Sequence, residues 1–225
     1  MSSDFEEQWA QQNALKKLKN NIGLFGKTMF PTALNKDVPP FHNEIYQALK
    51  EHDKKRVLIA APRGTAKSTV TSLILPLWEV AFKPSGKDLF IVIISESQSQ
   101  SINFLSRIKY HLINSNNFKE MFGNYGPETA KRWTNNDIVL ANGARIIAVG
   151  TGQRVRGFIE GDTRPNLIIV DDYESELNAF TAEARAKNRK WITEAVIPSL
   201  SDDGRVIMIG TVISEDCFLY WAKES

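Results

Sequence analysis

The segment Ala61-Pro62-Arg63-Gly64-Thr65-Ala66-Lys67-Ser68-Thr69 follows the apolar run Val57-Leu58-Ile59 and opens an amphipathic stretch, so it reads as strand, loop, helix. Holding a polyphosphate at such a junction asks for backbone N–H groups curled round anionic oxygens, an ammonium on the outer phosphates and a hydroxyl on Mg²⁺. Lys67 and Ser68 have the types and spacing for the last two tasks. The general pattern GxxxxGK[ST] has glycine where this chain has Ala61 and Ala66. The match therefore requires both positions to tolerate a Cβ, with Gly64 supplying local freedom.

A second apolar run, Leu167-Ile168-Ile169-Val170, ends in Asp171-Asp172, with Glu174 two residues on. In an open parallel sheet ligands bind at the C-terminal ends of the strands, so Asp171 is placed to hold Mg²⁺ opposite Ser68. A carboxylate that ends a buried strand is costly unless something compensates it. Hydrolysis also needs a group to orient water. Both Asp172 and Glu174 qualify, with Glu174 slightly favoured for its longer reach. Arg63, inside the loop, would set a guanidinium beside the phosphates, where charge develops during transfer. Arg154 and Arg156 lie in the Gly-flanked segment Gly152-Gln153-Arg154-Val155-Arg156-Gly157. An arginine on such a loop can reach a neighbouring subunit's site, and an ordinary solvated loop is the other reading. No NKxD guanine signature occurs, so ATP is preferred to GTP, and the scattered His42, His52 and His111 read as packing or surface residues.

The elements that must position these groups follow from periodicity. A polar helix runs to about Asn20 behind a Ser3/Glu6 capping box, and the Gly- and Pro-containing stretch 21–40 reads as a loop-like connection. A helix is predicted over 41–51, a buried strand at 57–61 and the post-loop helix over 67–82. Leu89–Ile94 forms a strand buried on both faces, and Ser95 caps a helix over 97–113. Asn142-Gly143 between two apolar runs marks an antiparallel hairpin, and a helix over 181–196 leads to a last strand at 206–209. The expectation is an α/β, three-layer fold with a mainly parallel central sheet and an inserted hairpin. Residues 1–38 are read as an N-terminal helix and linker, and 39–225 as the main domain.

With 42% hydrophobic and 24% charged residues the 225-residue chain has ordinary globular usage, and no apolar run could span a bilayer. The start lacks a secretory pattern, and a single cysteine, Cys217, excludes an intrachain disulfide and makes a Cys-based zinc site unexpected. Both features suit a cytoplasmic protein. Basic residues predominate over 1–165 and acidic ones over 166–225, which suits an anionic partner on the earlier segments.

Taken in order, Pro40-Phe41-His42, the Arg-bearing loop, Trp133, Asn142-Gly143, Gly150, Arg156-Gly157, Arg164-Pro165, Leu167 to Glu174 and Gly210-Thr211 resemble the ATPase domain of tailed-bacteriophage terminase large subunits. The resemblance covers roughly residues 39 to 215. It implies a P-loop NTPase of the additional-strand type, with Walker A and Walker B motifs, and a Mg²⁺-dependent ATPase that drives double-stranded DNA into a procapsid in the infected host cell. It also implies roles. The loop from Ala61 to Thr69 (Ala61, Pro62, Arg63, Gly64, Thr65, Ala66, Lys67, Ser68, Thr69) would hold the nucleotide, and the stretch with Phe41, His42 and Gln47 would lie against adenine. Ser68 and Asp171 would hold the metal, Asp172 or Glu174 would serve catalysis, and Arg154 or Arg156 would act in trans. Gly210-Thr211 would couple nucleotide state to DNA grip. The implied partners are DNA, the portal protein, a small terminase subunit and further copies in a ring, expected to be a pentamer. Members usually continue into an RNase H-like nuclease domain; this sequence stops soon after Thr211, so nuclease activity is not expected. Competing readings are a nucleotide-gated DNA- or portal-binding module with little turnover, and a helicase-like DNA-dependent ATPase.

Overall fold

A computed structural model of the chain describes residues 3–34, 39–83, 89–153, 163–174, 179–212 and 216–224. Arg56–Ala60 (β1), Phe90–Ser95 (β2), Arg132–Trp133 (β3), Asp137–Val139 (β4), Arg145–Gly150 (β5), Leu167–Asp171 (β6) and Arg205–Gly210 (β7) form one sheet in the order β1-β7-β6-β2-β5-β4-β3. The first five in that order run parallel, and β4 and β3 add antiparallel beyond β5. The predicted hairpin is therefore present, with Gly143 at φ 93° in its turn.

Side chains alternate across a strand, so an uninterrupted apolar run must be covered on both faces. In β2, Ile91 and Ile93 join the core under the helices Ser3–Asn20 (α1), Ile22–Met29 (α2) and Phe41–Lys50 (α3), together with the helices that follow β1 and β2. Phe90, Val92 and Ile94 join the core of the opposite face. That face is covered by Ala182–Trp191 (α8), its π-helical continuation Ile192–Val196 and Phe218–Glu224 (α9). The three-layer α/β architecture expected from the sequence is the one observed. The helix predicted over 67–82 is a continuous run: Lys67–Thr69 (α4), a π-helical segment Val70–Ile74, and Leu75–Phe82 (α5). Gln98–Asn114 (α6) and Asn116–Phe122 (α7), the latter not foreseen, complete that layer.

Three expectations need correction. The stretch 21–40 carries helix α2, whose Ile22, Phe25 and Met29 are buried in the main core. Its glycines serve packing: a Cβ on Gly23 would stand 2.5 Å from the Tyr46 ring, and one on Gly26 would stand 2.6 Å from Leu34. Strand β1 lies at the edge of the sheet, with Val57 and Ile59 buried but Arg56 and Ala60 exposed. The cap of α6 is Ser97, whose Oγ accepts the Gln100 N–H. Ser95 ends β2, and its hydroxyl donates to the Asp171 carbonyl oxygen at 2.9 Å.

Candidate nucleotide site

Between β1 and α4 the chain turns through Gly64 at φ 79° and Ala66 at φ 56°, ψ 18°, both left-handed. The second glycine of the general loop pattern thus has a backbone reason here, and Ala66 meets it at a cost of about 1 kcal/mol. Ala61 is outside the left-handed region and bears no such cost. The turn is braced twice. The Thr65 hydroxyl donates to the Pro62 carbonyl oxygen at 2.8 Å, and His42 Nε2, buried on α3, donates to the Thr65 carbonyl oxygen at 2.5 Å. Ala66→Gly is expected to raise unfolding stability by about 0.5 kcal/mol, the relief of the left-handed alanine less the added chain entropy of glycine. A urea denaturation midpoint that falls instead would contradict this account of the turn.

Successive residues of a helix start point about 100° apart, and Lys67, Ser68 and Thr69 address three different neighbours. Lys67 is buried, with Nζ 3.3 Å from Thr211 Oγ1 and 3.6 Å from Asp172 Oδ2. The Ser68 hydroxyl donates to Asp171 Oδ1 at 2.9 Å. Thr69 Oγ1 accepts from Arg107 Nη2 of α6 at 3.4 Å. One turn further, in the π-helical segment, Ser72 donates to Asp171 Oδ2 at 2.5 Å. Both carboxylate oxygens of the fully buried Asp171 are therefore engaged. Its carboxyl is pushed up to about 6, chiefly by burial, with the Ser72 and Ser68 hydrogen bonds opposing the rise and Asp172 adding to it.

The sheet order explains how residues so far apart in sequence meet. Strand β7 lies between β1 and β6, so the loop after β1, Gly210-Thr211 after β7 and Asp171-Asp172 after β6 emerge side by side at one sheet edge. The Ala61 N–H donates to the Gly210 carbonyl oxygen at 3.1 Å and the Thr211 hydroxyl to the Ala61 carbonyl oxygen at 3.3 Å. A Cβ at Gly210 would stand 2.6 Å from Leu219 and 3.2 Å from Asp172 Oδ1, which accounts for glycine there. Asp172 has φ 44°, a conformation Asp tolerates better than most residues, and its N–H donates to the Ile209 carbonyl oxygen.

The two acids considered for water lie in different surroundings. Asp172 is partly exposed and faces Lys67. Glu174 Oε2 accepts the Phe218 N–H at 2.6 Å, at the start of α9. Burial raises the Glu174 carboxyl; the Phe218 N–H, Arg189 and Arg185 oppose that rise. Arg63 is exposed on the loop, and Phe41 and Gln47 are exposed on α3, with the Phe41 ring edge-on to His42 at 4.7 Å. Arg154 and Arg156 lie outside the described residues. Sequence reasoning did not single out Ser72 or Arg107; His42, read from its residue type as packing or surface, is buried and also braces the loop. A cleft of about 850 Å³ lies apart from all of these, lined among others by His52, Glu79, Arg164 and Arg205.

By sequence the chain matches no family model and no curated protein. Comparison of folds gives two informative neighbours. The large terminase of bacteriophage HK97 is 11% identical at a TM-score of 0.56, over 84% of this chain and 36% of that one. A mutant ATPase domain of the large terminase of Thermus phage P74-26 is 16% identical at a TM-score of 0.54, over 85% of this chain and 72% of that one. The chain has the fold of a large-terminase ATPase domain. In this chain's sheet the strand between the loop strand and the acid strand is β7. The present chain spans about a third of the length of the HK97 protein.

Proposed function

We propose that the chain is the ATP-hydrolysing motor domain of a viral large terminase, taking Mg²⁺ and ATP at the loop after β1 and using hydrolysis to move double-stranded DNA into a procapsid. The observation that carries the reading is the meeting of Lys67, Ser68, Asp171 and Asp172 at the C-terminal edge of a terminase-type sheet, around a turn held left-handed. The residues fit the ligands. A hydroxyl paired with a buried carboxylate is a hard-oxygen donor set suited to Mg²⁺, and a buried ammonium beside the loop suits the outer phosphates. Mg²⁺ held by Ser68 and Asp171 would neutralise charge on the phosphate oxygens.

Lys67 exchanges its contacts with Thr211 and Asp172 for the β- and γ-phosphates, and Arg63 adds positive charge as the transition state forms. Asp172 orients the attacking water and draws its proton as the water oxygen bonds to the γ-phosphorus. The bond from that phosphorus to the β,γ-bridging oxygen breaks, releasing ADP. Asp172 is preferred to Glu174 because Glu174 is engaged by the Phe218 N–H. Thr211 touches both Lys67 and the loop carbonyl of Ala61, so departure of Lys67 is felt directly at the Gly210-Thr211 turn and at Leu219 of α9 packed on Gly210. Arg154 or Arg156 completes the site of the next copy in a ring, a pentamer on the portal, with a small terminase subunit as a further partner. No described helix is long and apolar enough to cross a membrane.

The Glu174 contact favours one second reading, a nucleotide-gated DNA- or portal-binding module with little turnover. Steady-state phosphate release with and without double-stranded DNA separates the two. The motor reading expects Mg²⁺-dependent turnover, stimulated by DNA and lost more completely in Asp172→Asn than in Glu174→Gln. Tight nucleotide binding with no turnover at any protein concentration would favour the binding module.

A further inference from the structure

Lys67, Ser68 and Thr69 divide the space above the helix start, and the acids occupy only two of the three directions. Lys67 and Ser68 face Asp172 and Asp171, which mark the γ-phosphate and metal end of the site. Thr69 faces the other way, toward α6, where its Oγ1 accepts from Arg107 Nη2 at 3.4 Å. Helix α6 is a firm carrier for that arginine. Leu105, Ile108 and Leu112 are fully buried beneath it, and Ser97 caps its start.

The electrostatics of this arrangement are unbalanced without an anion. The N-terminal turn of a helix favours negative charge, yet Arg107 brings a guanidinium to it, and Lys67 and Arg63 stand at the same turn. Among the described residues no carboxylate forms an ion pair with Arg107, and Asp172 is the one that faces Lys67. A single bond to Thr69 leaves most of the five guanidinium donors available. A polyanion laid across the turn would satisfy all three cations together.

We propose that Arg107 is a nucleotide-binding residue whose guanidinium engages the α-phosphate of the bound nucleoside polyphosphate, held in place by Thr69. The inference rests on the nucleotide reading of the loop and adds to it a cation from a separate helix, on the side away from the hydrolysed bond. An arginine there contributes equally to substrate and product binding, since ATP and ADP share the α-phosphate. It therefore changes KM and leaves kcat nearly unchanged.

The test is an equilibrium titration of the full chain with ADP and with a non-hydrolysable ATP analogue, for the wild type, Arg107→Ala, Arg107→Lys and Lys67→Ala. Arg107→Ala is expected to weaken both ligands by the same factor, about tenfold, as for loss of one charge-assisted contact. Arg107→Lys should recover part of the loss, and the ligand-free unfolding midpoint should not move. Arg107→Ala binding both ligands like the wild type would overturn the proposal, and so would a loss confined to the triphosphate analogue, which would place the arginine at the γ-phosphate. Wild-type binding that Lys67→Ala weakens upholds the nucleotide reading whatever Arg107 does, whereas a wild type that binds neither ligand overturns both.

Discussion

Alanine at position 67 is expected to lower ATP turnover by roughly two to three orders of magnitude, the usual cost of removing a preorganised charge from the developing phosphate oxygens. The ammonium is buried at the loop, within reach of Thr211 and Asp172, whereas Arg63 is exposed. The fold should survive the change. The carboxylate left behind, Asp172, is 36% exposed and remains hydrated, so the unfolding free energy should change by about 1 kcal/mol at most. Phosphate-release kinetics together with urea denaturation check both halves. Undiminished turnover in a folded Lys67→Ala protein would remove the loop from the mechanism.

Asp171→Asn is expected to separate stability from activity. Burial raises this carboxyl from 3.8 to about 6, so between those values the folded protein keeps a proton that the unfolded chain releases. The associated stability is fully present below about pH 4 and is lost as the pH rises through about 6. Above that, the charged carboxylate costs the metal-free fold on the order of 3 kcal/mol. Asparagine has no charge to bury. In EDTA at pH 8 the variant should therefore be more stable than the wild type by about 2 kcal/mol, with the gain shrinking toward zero as the pH falls to 4. Its Mg²⁺-dependent turnover should be lost, because the metal's carboxylate is gone. A gain that persists unchanged at pH 4, or a variant that still hydrolyses ATP, would contradict the role given to Asp171.

Both predictions concern residues that were legible in the sequence, and the reason is local. A strand–turn–helix junction opening on Lys-Ser-Thr and an acid at a strand end announce themselves through short apolar runs and adjacent side chains, and a parallel sheet brings strand ends to one edge whatever the connections. The hairpin was equally plain from Asn142-Gly143. The missed features depend on contacts between distant segments. Gly23 and Gly26 carry the same letters as loop glycines, and only the approach of Tyr46 and Leu34 shows them to be packing positions. Ser72 reaches Asp171 across 99 residues of sequence, from a segment of π-helix that no spacing rule anticipates. Arg107 meets Thr69 only because α6 docks beside the helix that follows the loop. The contact that leads us to propose Asp172 over Glu174 likewise comes from Phe218, 44 residues beyond Glu174, whose N–H engages that carboxylate. Ala66 is the reverse case. Its residue type argued against the loop, and its backbone, at φ 56°, shows the loop conformation kept without the glycine.

The placement proposed for Mg²⁺ and ATP is on the loop after β1, between Lys67 and the acids of β6. A crystal structure of the chain with a non-hydrolysable ATP analogue and Mn²⁺, the metal located by its anomalous signal, tests it most directly. The expected result has the phosphates over Lys67, Ser68 and Thr69, the metal at Ser68 on the side of Asp171, and Lys67 withdrawn from Thr211. Nucleotide bound instead in the 850 Å³ cleft lined by His52 and Arg205, or a loop left empty at saturating analogue, would contradict it.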